Sequence, residues 1–188
     1  MGNKFLDKFT EWQEKKYSRT QKILFIVILV PFFFFIFIPG LSFLLAEKMD
    51  TKFATPEILK HPFNIYLGTP LFVFGLFLFT WTVMIFFQIG EGTPAPFMPT
   101  QKLVTGGPFA YSRNPMVSGV VLFISGLGVL LNSFSFIAVG LVIPLLYLID
   151  IKFIEEKELE ARFGQEYLEY KKRVPFLIPH LPHTIRAK

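Results

Sequence analysis

Residues 117–149 read VSGVVLFISGLGVLLNSFSFIAVGLVIPLLYLI, a run without a single charge. As one helix rising about 1.5 Å per residue it would reach roughly 50 Å, well beyond a bilayer hydrocarbon core of about 30 Å. Asn132-Ser133 lies near the middle of the run and is the natural place for the chain to turn. The reading is therefore a tight helical hairpin with arms of about 16 residues, prolonged past Asp150. Gly119, Gly126 and Gly128 would let the two arms approach closely.

On the N-terminal side of the hairpin, a first span is expected from about Ile23 to Leu45, with Pro31 and Pro39 flanking a Phe32–Phe35 run, and a second from about Asn64 to Ile89. Prolines are tolerated inside membrane helices where neighbours satisfy the freed carbonyls, and a kink is expected there. Phe5, Phe9 and Trp12 recur at helical spacing among Lys4, Lys8, Lys15 and Lys16, which predicts an amphipathic helix in the headgroup layer. The composition agrees: 52% of the 188 residues are hydrophobic and 25 are phenylalanine, more apolar surface than a soluble domain of this size could hide. No cysteine is present, so disulfides, zinc–thiolate sites and thiol nucleophiles are excluded.

Orientation follows from the basic residues. Six precede the first span (Lys4, Lys8, Lys15, Lys16, Arg19, Lys22) and eight come after Ile149, with Lys102 and Arg113 in the 90–116 loop. The 46–63 loop balances Lys48, Lys52 and Lys60 against Glu47, Asp50 and Glu57. Four crossings gather the basic segments on one side, which the positive-inside rule assigns to the cytoplasm, with both termini there. The net charge of +5 then suits anionic lipid headgroups rather than nucleic acid. The expected protein is an all-α polytopic membrane protein with about four transmembrane helices and cytoplasmic short helices at its C-terminus. It divides into an interfacial helix (1–22), two transmembrane helices (23–89) and a catalytic region (90–188).

Two polar stretches could carry chemistry. Residues 90–116, GEGTPAPFMPTQKLVTGGPFAYSRNPM, are too rich in proline and glycine for a long helix, and the fixed φ of the prolines argues for an ordered loop. Pro115 opens the third span, with Asn114 as its cap. Residues 154–179, IEEKELEARFGQEYLEYKKRVPFLIP, set Glu155 and Glu156 where the last span leaves the membrane, a place where an unpaired carboxylate is costly. Glu158 can pair with Arg162 at i,i+4, and Gly164 reads as a helix stop before a second short helix through Tyr167 and Tyr170.

The step Arg113-Asn114-Pro115-Met116, preceded by KLVTGGPF at 102–109 and followed by Glu155-Glu156 and FGQEYLEYKKRVP, resembles the signature of the isoprenylcysteine carboxyl methyltransferase family and of the related phospholipid N-methyltransferases. The resemblance covers roughly residues 90–179. It implies an integral membrane S-adenosylmethionine-dependent methyltransferase acting on a lipid or lipid-modified carboxylate or amine. It places cofactor contacts on Gln101, Lys102, Leu103, Val104, Phe109, Asn114, Pro115, Met116, Val117 and Glu155. Arg113 and Glu156 are the catalytic candidates, Arg113 as a partner for the cofactor carboxylate and Glu156, or Glu91 of the Gly90-Glu91-Gly92 step, as the base an amine acceptor needs. No metal is implied. His180 and His183 read as tail residues, because Pro182 breaks their helical spacing. Asn114 stands where the family usually has histidine, Phe109 and Val117 where it has tyrosines. A family arginine associated with the prenylcysteine falls near Ile151, with only Lys152 beside it, which weakens that acceptor specifically. Two other classes stay open: an NADPH-dependent membrane lipid or sterol reductase, and a non-enzymatic membrane scaffold.

Overall fold

The computed structural model describes residues 18–93 and 99–179. The interfacial helix expected before residue 18, the 94–98 part of the proline-rich loop, and His180 and His183 lie outside the described residues. Within them the chain is helical, with no strand. The first span is one continuous helix, α1 (Arg19–Phe53), longer than the stretch from Ile23 to Leu45. Ser18 and Gln21 open it with a reciprocal capping box. At its far end Ala54 adopts a left-handed conformation (φ 45°). Before each of its two prolines, α1 widens into a π-helical turn. Val30 N–H donates to the Phe25 carbonyl and Ile38 N–H to the Phe33 carbonyl, five residues back, immediately before Pro31 and Pro39. The extra residue per turn opens the ladder where a proline ring would otherwise press on the carbonyl four residues back.

The second span, α2 (Phe63–Gln88), accommodates Pro70. The hairpin comes next as α3 (Pro115–Leu130) and α4 (Phe134–Asp150), turning at Asn132 (φ 57°), with the Ser133 hydroxyl capping α4 by accepting from Phe136 N–H. Helices α1, α2 and α4 are long and apolar enough to cross a membrane, α4 by running on directly into the C-terminal helix that ends at Arg173. At 16 residues α3 is shorter and reaches about 24 Å. Val27, Ile36, Leu44, Phe77 and Leu146 each expose more than half their surface, an arrangement stable against acyl chains and not against water. The protein is an integral membrane protein of all-α architecture.

The glycines of α3 pack differently from the expected contact between hairpin arms. Gly119 and Gly126 face α2, where they meet Gly75 and Gly68 across a seam with seven-residue spacing on both helices. A Cβ at Gly126 would stand 2.3 Å from the Phe72 backbone nitrogen, and one at Gly75 2.3 Å from that of Phe123. Among the three glycines of α3 named in the sequence, Gly128 alone meets α4, at Ile137 and Phe136. The α2–α3 pair is therefore a close one, because glycine opposes glycine along its seam. α1 and α4 close the bundle over Phe35, Phe79, Phe123, Ile124 and Phe136, with the Phe35 ring edge-on to Phe79 and Phe123 at 5.1 Å each.

The two ends of the bundle differ. At one, Asn132 clasps the 54–62 loop: Leu59 N–H donates to its Oδ1 (3.0 Å) and its Nδ2 donates to the Leu59 carbonyl (2.8 Å). Asp50 accepts from Ser133 and Thr55 beside them. Asn132→Ala is expected to destabilise the protein by about 1–3 kcal/mol, since it strips both bonds and leaves a β-carbon at positive φ. Thermal unfolding in detergent checks this, and Asn132→Gly, which relieves the φ term alone, should recover only part of the loss. At the other end, Lys22 donates to the Glu91 carbonyl and Arg162 to the Thr100 carbonyl, so the start of α1, the 90–116 loop and the C-terminal helix meet there.

Candidate functional site

That end is built on the loop between α2 and α3. Gln101 and Lys102 N–H both donate to the Gly90 carbonyl, folding 99–102 onto the 90–92 turn. A Cβ at Gly92 would fall 2.4 Å from Thr100 Cα, so glycine is what permits the approach. After a 3₁₀ turn at Gly107–Ala110, Pro115 begins α3. Asn114 occupies the cap position but makes no capping bond; its Nδ2 instead donates to the Phe176 carbonyl at 2.8 Å.

Beyond Asp150 the chain makes one more π-helical turn, Ile151–Glu155, and continues as α5 (Glu156–Arg173), broken at Gly164 (φ 53°) as its sequence suggested. The wide turn changes the angular register at the two glutamates. Glu156 turns inward and is buried, meeting the buried Arg113 guanidinium at 2.5 Å, with Lys171 at 2.9 Å and Lys152 at 3.5 Å on its other oxygen. The Arg113–Glu156 approach is a charge contact without hydrogen-bond alignment. Arg113 Nε and Nη1 have no acceptor aimed at them, although both are shielded from water. Glu155 takes the adjacent face, where the Tyr147 hydroxyl donates to it at 3.4 Å. Past the break, Tyr170 donates to the Phe109 carbonyl at 2.8 Å, and Tyr167 and Tyr170 pack on Ile85, Val104 and Phe109.

These elements enclose a cavity of about 370 Å³, within the range of small-molecule sites. Leu103, Val104, Phe109, Arg113, Asn114, Pro115, Met116, Val117, Glu155 and Glu156 all line it, so two polar stretches separated by the hairpin converge on one space. Gln101 and Lys102 do not line it. Gln101 bonds the Pro99 carbonyl, and Lys102 is exposed and paired with Glu91. Glu91 is likewise exposed and outside the lining, and its bond to Lys102 holds its carboxyl below the ordinary range. The wall also includes residues not among the candidates: Phe86 and Tyr147, which lie outside the sequence motifs, and Arg162, Tyr167 and Tyr170 of the C-terminal stretch. Tyr147 was within reach of sequence reasoning, since it stands eight residues before Glu155 and so shares its helical face. Arg162, by contrast, pairs with Glu158 at 3.2 Å as its i,i+4 spacing suggested.

A second cavity of about 630 Å³ lies between α1 and the α3–α4 hairpin. Its lining is apolar, dominated by Phe25, Phe32, Phe33 and Phe34 of the widened stretch of α1. Met116, Val117 and Tyr147 form a wall common to both cavities.

Comparison with known proteins points the same way. Residues 63–166 match the model of the phospholipid methyltransferase family. Over 79 residues the chain is 38% identical to an Arabidopsis thaliana protein named protein-S-isoprenylcysteine O-methyltransferase B, a match covering 42% of this chain and 40% of that relative. No solved structure matches. The family match extends over more than half of the chain, from the start of α2 past the glutamate pair, and includes Arg113, Glu155 and Glu156; the chain belongs to the phospholipid methyltransferase family.

Proposed function

We propose that this protein is an S-adenosylmethionine-dependent methyltransferase whose acceptor is a lipid or lipid-modified molecule, with the 90–179 end of the bundle on the cytoplasmic side. The observation that carries the reading is the convergence of Arg113, Glu155 and Glu156 on one cavity, with the buried Arg113 guanidinium held by Glu156 through Nη1 and its Nε left without an acceptor. Such a group fits the carboxylate of an amino-acid moiety, which would complete a fork already held from one side by Glu156. Glu155, across the same space, fits the α-ammonium or the ribose diol, while Leu103, Val104, Phe109 and Met116 offer an apolar bed for an adenine.

When bound, the sulfonium supplies a methyl carbon already activated for displacement. The residues around it then have to align the acceptor and exclude water. With the cofactor held by Arg113 and Glu155, the wall shared by the two cavities (Met116, Val117 and Tyr147) would set the acceptor's nucleophilic atom against that carbon. A carboxylate acceptor needs no proton transfer, whereas an amine must first release a proton to a neighbouring carboxylate. Glu156 is poorly disposed to that, because its charge is already answered by Arg113, Lys171 and Lys152. The apolar cavity suits the acceptor's hydrocarbon chain, entering sideways from the bilayer with its head at Tyr147.

Incubation with labelled S-adenosylmethionine and a total lipid extract, followed by mass spectrometry, tests the reading: a methylated lipid is expected. Absence of labelling together with binding of NADPH would replace it with a reductase. Ile143 lines the apolar cavity away from the polar site, so Ile143→Trp is expected to raise the acceptor KM roughly ten- to a hundredfold. Cofactor affinity measured by calorimetry should not change.

A further inference from the structure

Helix α5 ends at Arg173, where Val174 turns extended and Pro175 prevents the helix from continuing. Residues 174–179 then run back across the outside of the Ser112-Arg113-Asn114 step. Three successive carbonyls of this strap are taken up by three successive residues of the step. Arg113 N–H donates to Pro175 (2.9 Å), Asn114 Nδ2 to Phe176 (2.8 Å) and the buried Ser112 hydroxyl to Leu177 (2.9 Å). The Phe176 ring lies over the Arg113 guanidinium, 5.6 Å from its centroid, and over Lys152 Nζ at 4.9 Å.

Resting on the cofactor reading above, we propose that this C-terminal strap is part of the cofactor site, with Phe176 and Asn114 acting as positioning residues for Arg113. A guanidinium on a flexible stem gains affinity for a carboxylate only if its plane is set beforehand. Here the Glu156 carboxylate and the Phe176 ring both contact it, and the strap's bonds fix the backbone from which it springs. In that orientation Nη1 meets Glu156 and Nε is left without an acceptor, on a residue that lines the cavity. Asn114 takes part through the strap, its amide being committed to the Phe176 carbonyl. A ring in this position is not needed to close the bundle, since the strap's hydrogen bonds use main-chain oxygens. Its specific contribution is to the two cations beneath it.

The test uses the full chain purified in detergent, with S-adenosylhomocysteine as the probe in calorimetry and unfolding midpoints recorded without ligand. Phe176→Ala is expected to weaken binding about tenfold, the order of one cation–π contact in a shielded site. Its ligand-free midpoint should stay near that of the wild type, and Phe176→Tyr, which keeps the π face, should bind like the wild type. Where Phe176→Ala fails to fold, Phe176→Leu retains the apolar bulk and carries the same expectation. Wild-type affinity in the alanine or leucine variant overturns the proposal and leaves the cofactor reading standing. So does a loss of binding that tracks a fall in the ligand-free midpoint and that tyrosine does not restore, because the strap is then a staple of the fold. Absence of binding by the wild type overturns the cofactor reading and this proposal together.

Discussion

Glu155→Ala is expected to abolish detectable S-adenosylmethionine binding while leaving the protein folded, whereas Glu156→Ala is expected to unfold it. The two carboxylates are neighbours in sequence, yet the π-helical turn before them gives each a different task. Glu155 faces the cavity, and its hydrogen-bond partner is the Tyr147 hydroxyl at 3.4 Å, a long and weak contact. Its removal strands no buried charge. A carboxylate receiving an ammonium or a ribose diol makes charge-assisted hydrogen bonds of about 1.5–3 kcal/mol each, so loss of two such bonds weakens binding by about two orders of magnitude or more.

Glu156 is the counter-charge of a buried guanidinium and of two lysines. Without it the buried Arg113 loses its counter-charge, Lys152 loses its ion pair and Lys171 keeps only Glu160; removing one member of a buried pair costs about 3–5 kcal/mol, a large part of the stability of a domain. Calorimetry and thermal unfolding on both variants separate the cases. Wild-type binding by Glu155→Ala would remove that residue from the cofactor site, and a fully stable Glu156→Ala would show that the cations do not depend on it.

The second large effect is expected at the glycine seam. Gly126→Val places a β-carbon 2.3 Å from the Phe72 backbone nitrogen, and backbone cannot rotate aside as a side chain can. α2 and α3 must separate, and the expected loss is about 3 kcal/mol, the upper part of the usual range for overpacking. Activity should fall further than stability alone accounts for. α3 carries Pro115, Met116 and Val117 on the cavity wall and α2 carries Phe86 against Phe109, so parting the two helices opens the site between them. Gly40→Ala supplies the control: nothing lies within 4 Å of the added carbon, and a small gain from helix propensity is expected. Unfolding midpoints of the two variants that fail to separate would show that the seam is not tightly packed.

The glutamate pair and the glycine seam differ in how far they could be read in advance. The turn at Asn132-Ser133, the pairing of Glu158 with Arg162 and the break at Gly164 were all legible, because each depends on residues a few positions apart. So was the convergence of Arg113 with the glutamate pair, through the motif that carries them. The inward placement of Glu156 was not legible. It depends on one extra residue in a helical turn, and no residue in Ile151–Glu155 announces that turn. Gly119 and Gly126 advertised close contact without naming the partner, since small residues suit any helix that offers an equally narrow face. Lys102 matched the motif by position, but its side chain is drawn outward to Glu91, a residue fixed by the tight turn at 90–92.

Hydropathy and turn chemistry alone established that this chain lives in a bilayer, where its apolar runs begin and end, and where it turns. These are consequences of hydrocarbon thickness and of the need of every backbone group in lipid to bond within its own helix. Which helix faces which, which of two adjacent glutamates holds Arg113, and the return of residues 174–179 to brace it were settled by the folded chain. Contacts across 40 to 65 positions of chain depend on angular register accumulated through every intervening turn, and a single widened turn is enough to change them.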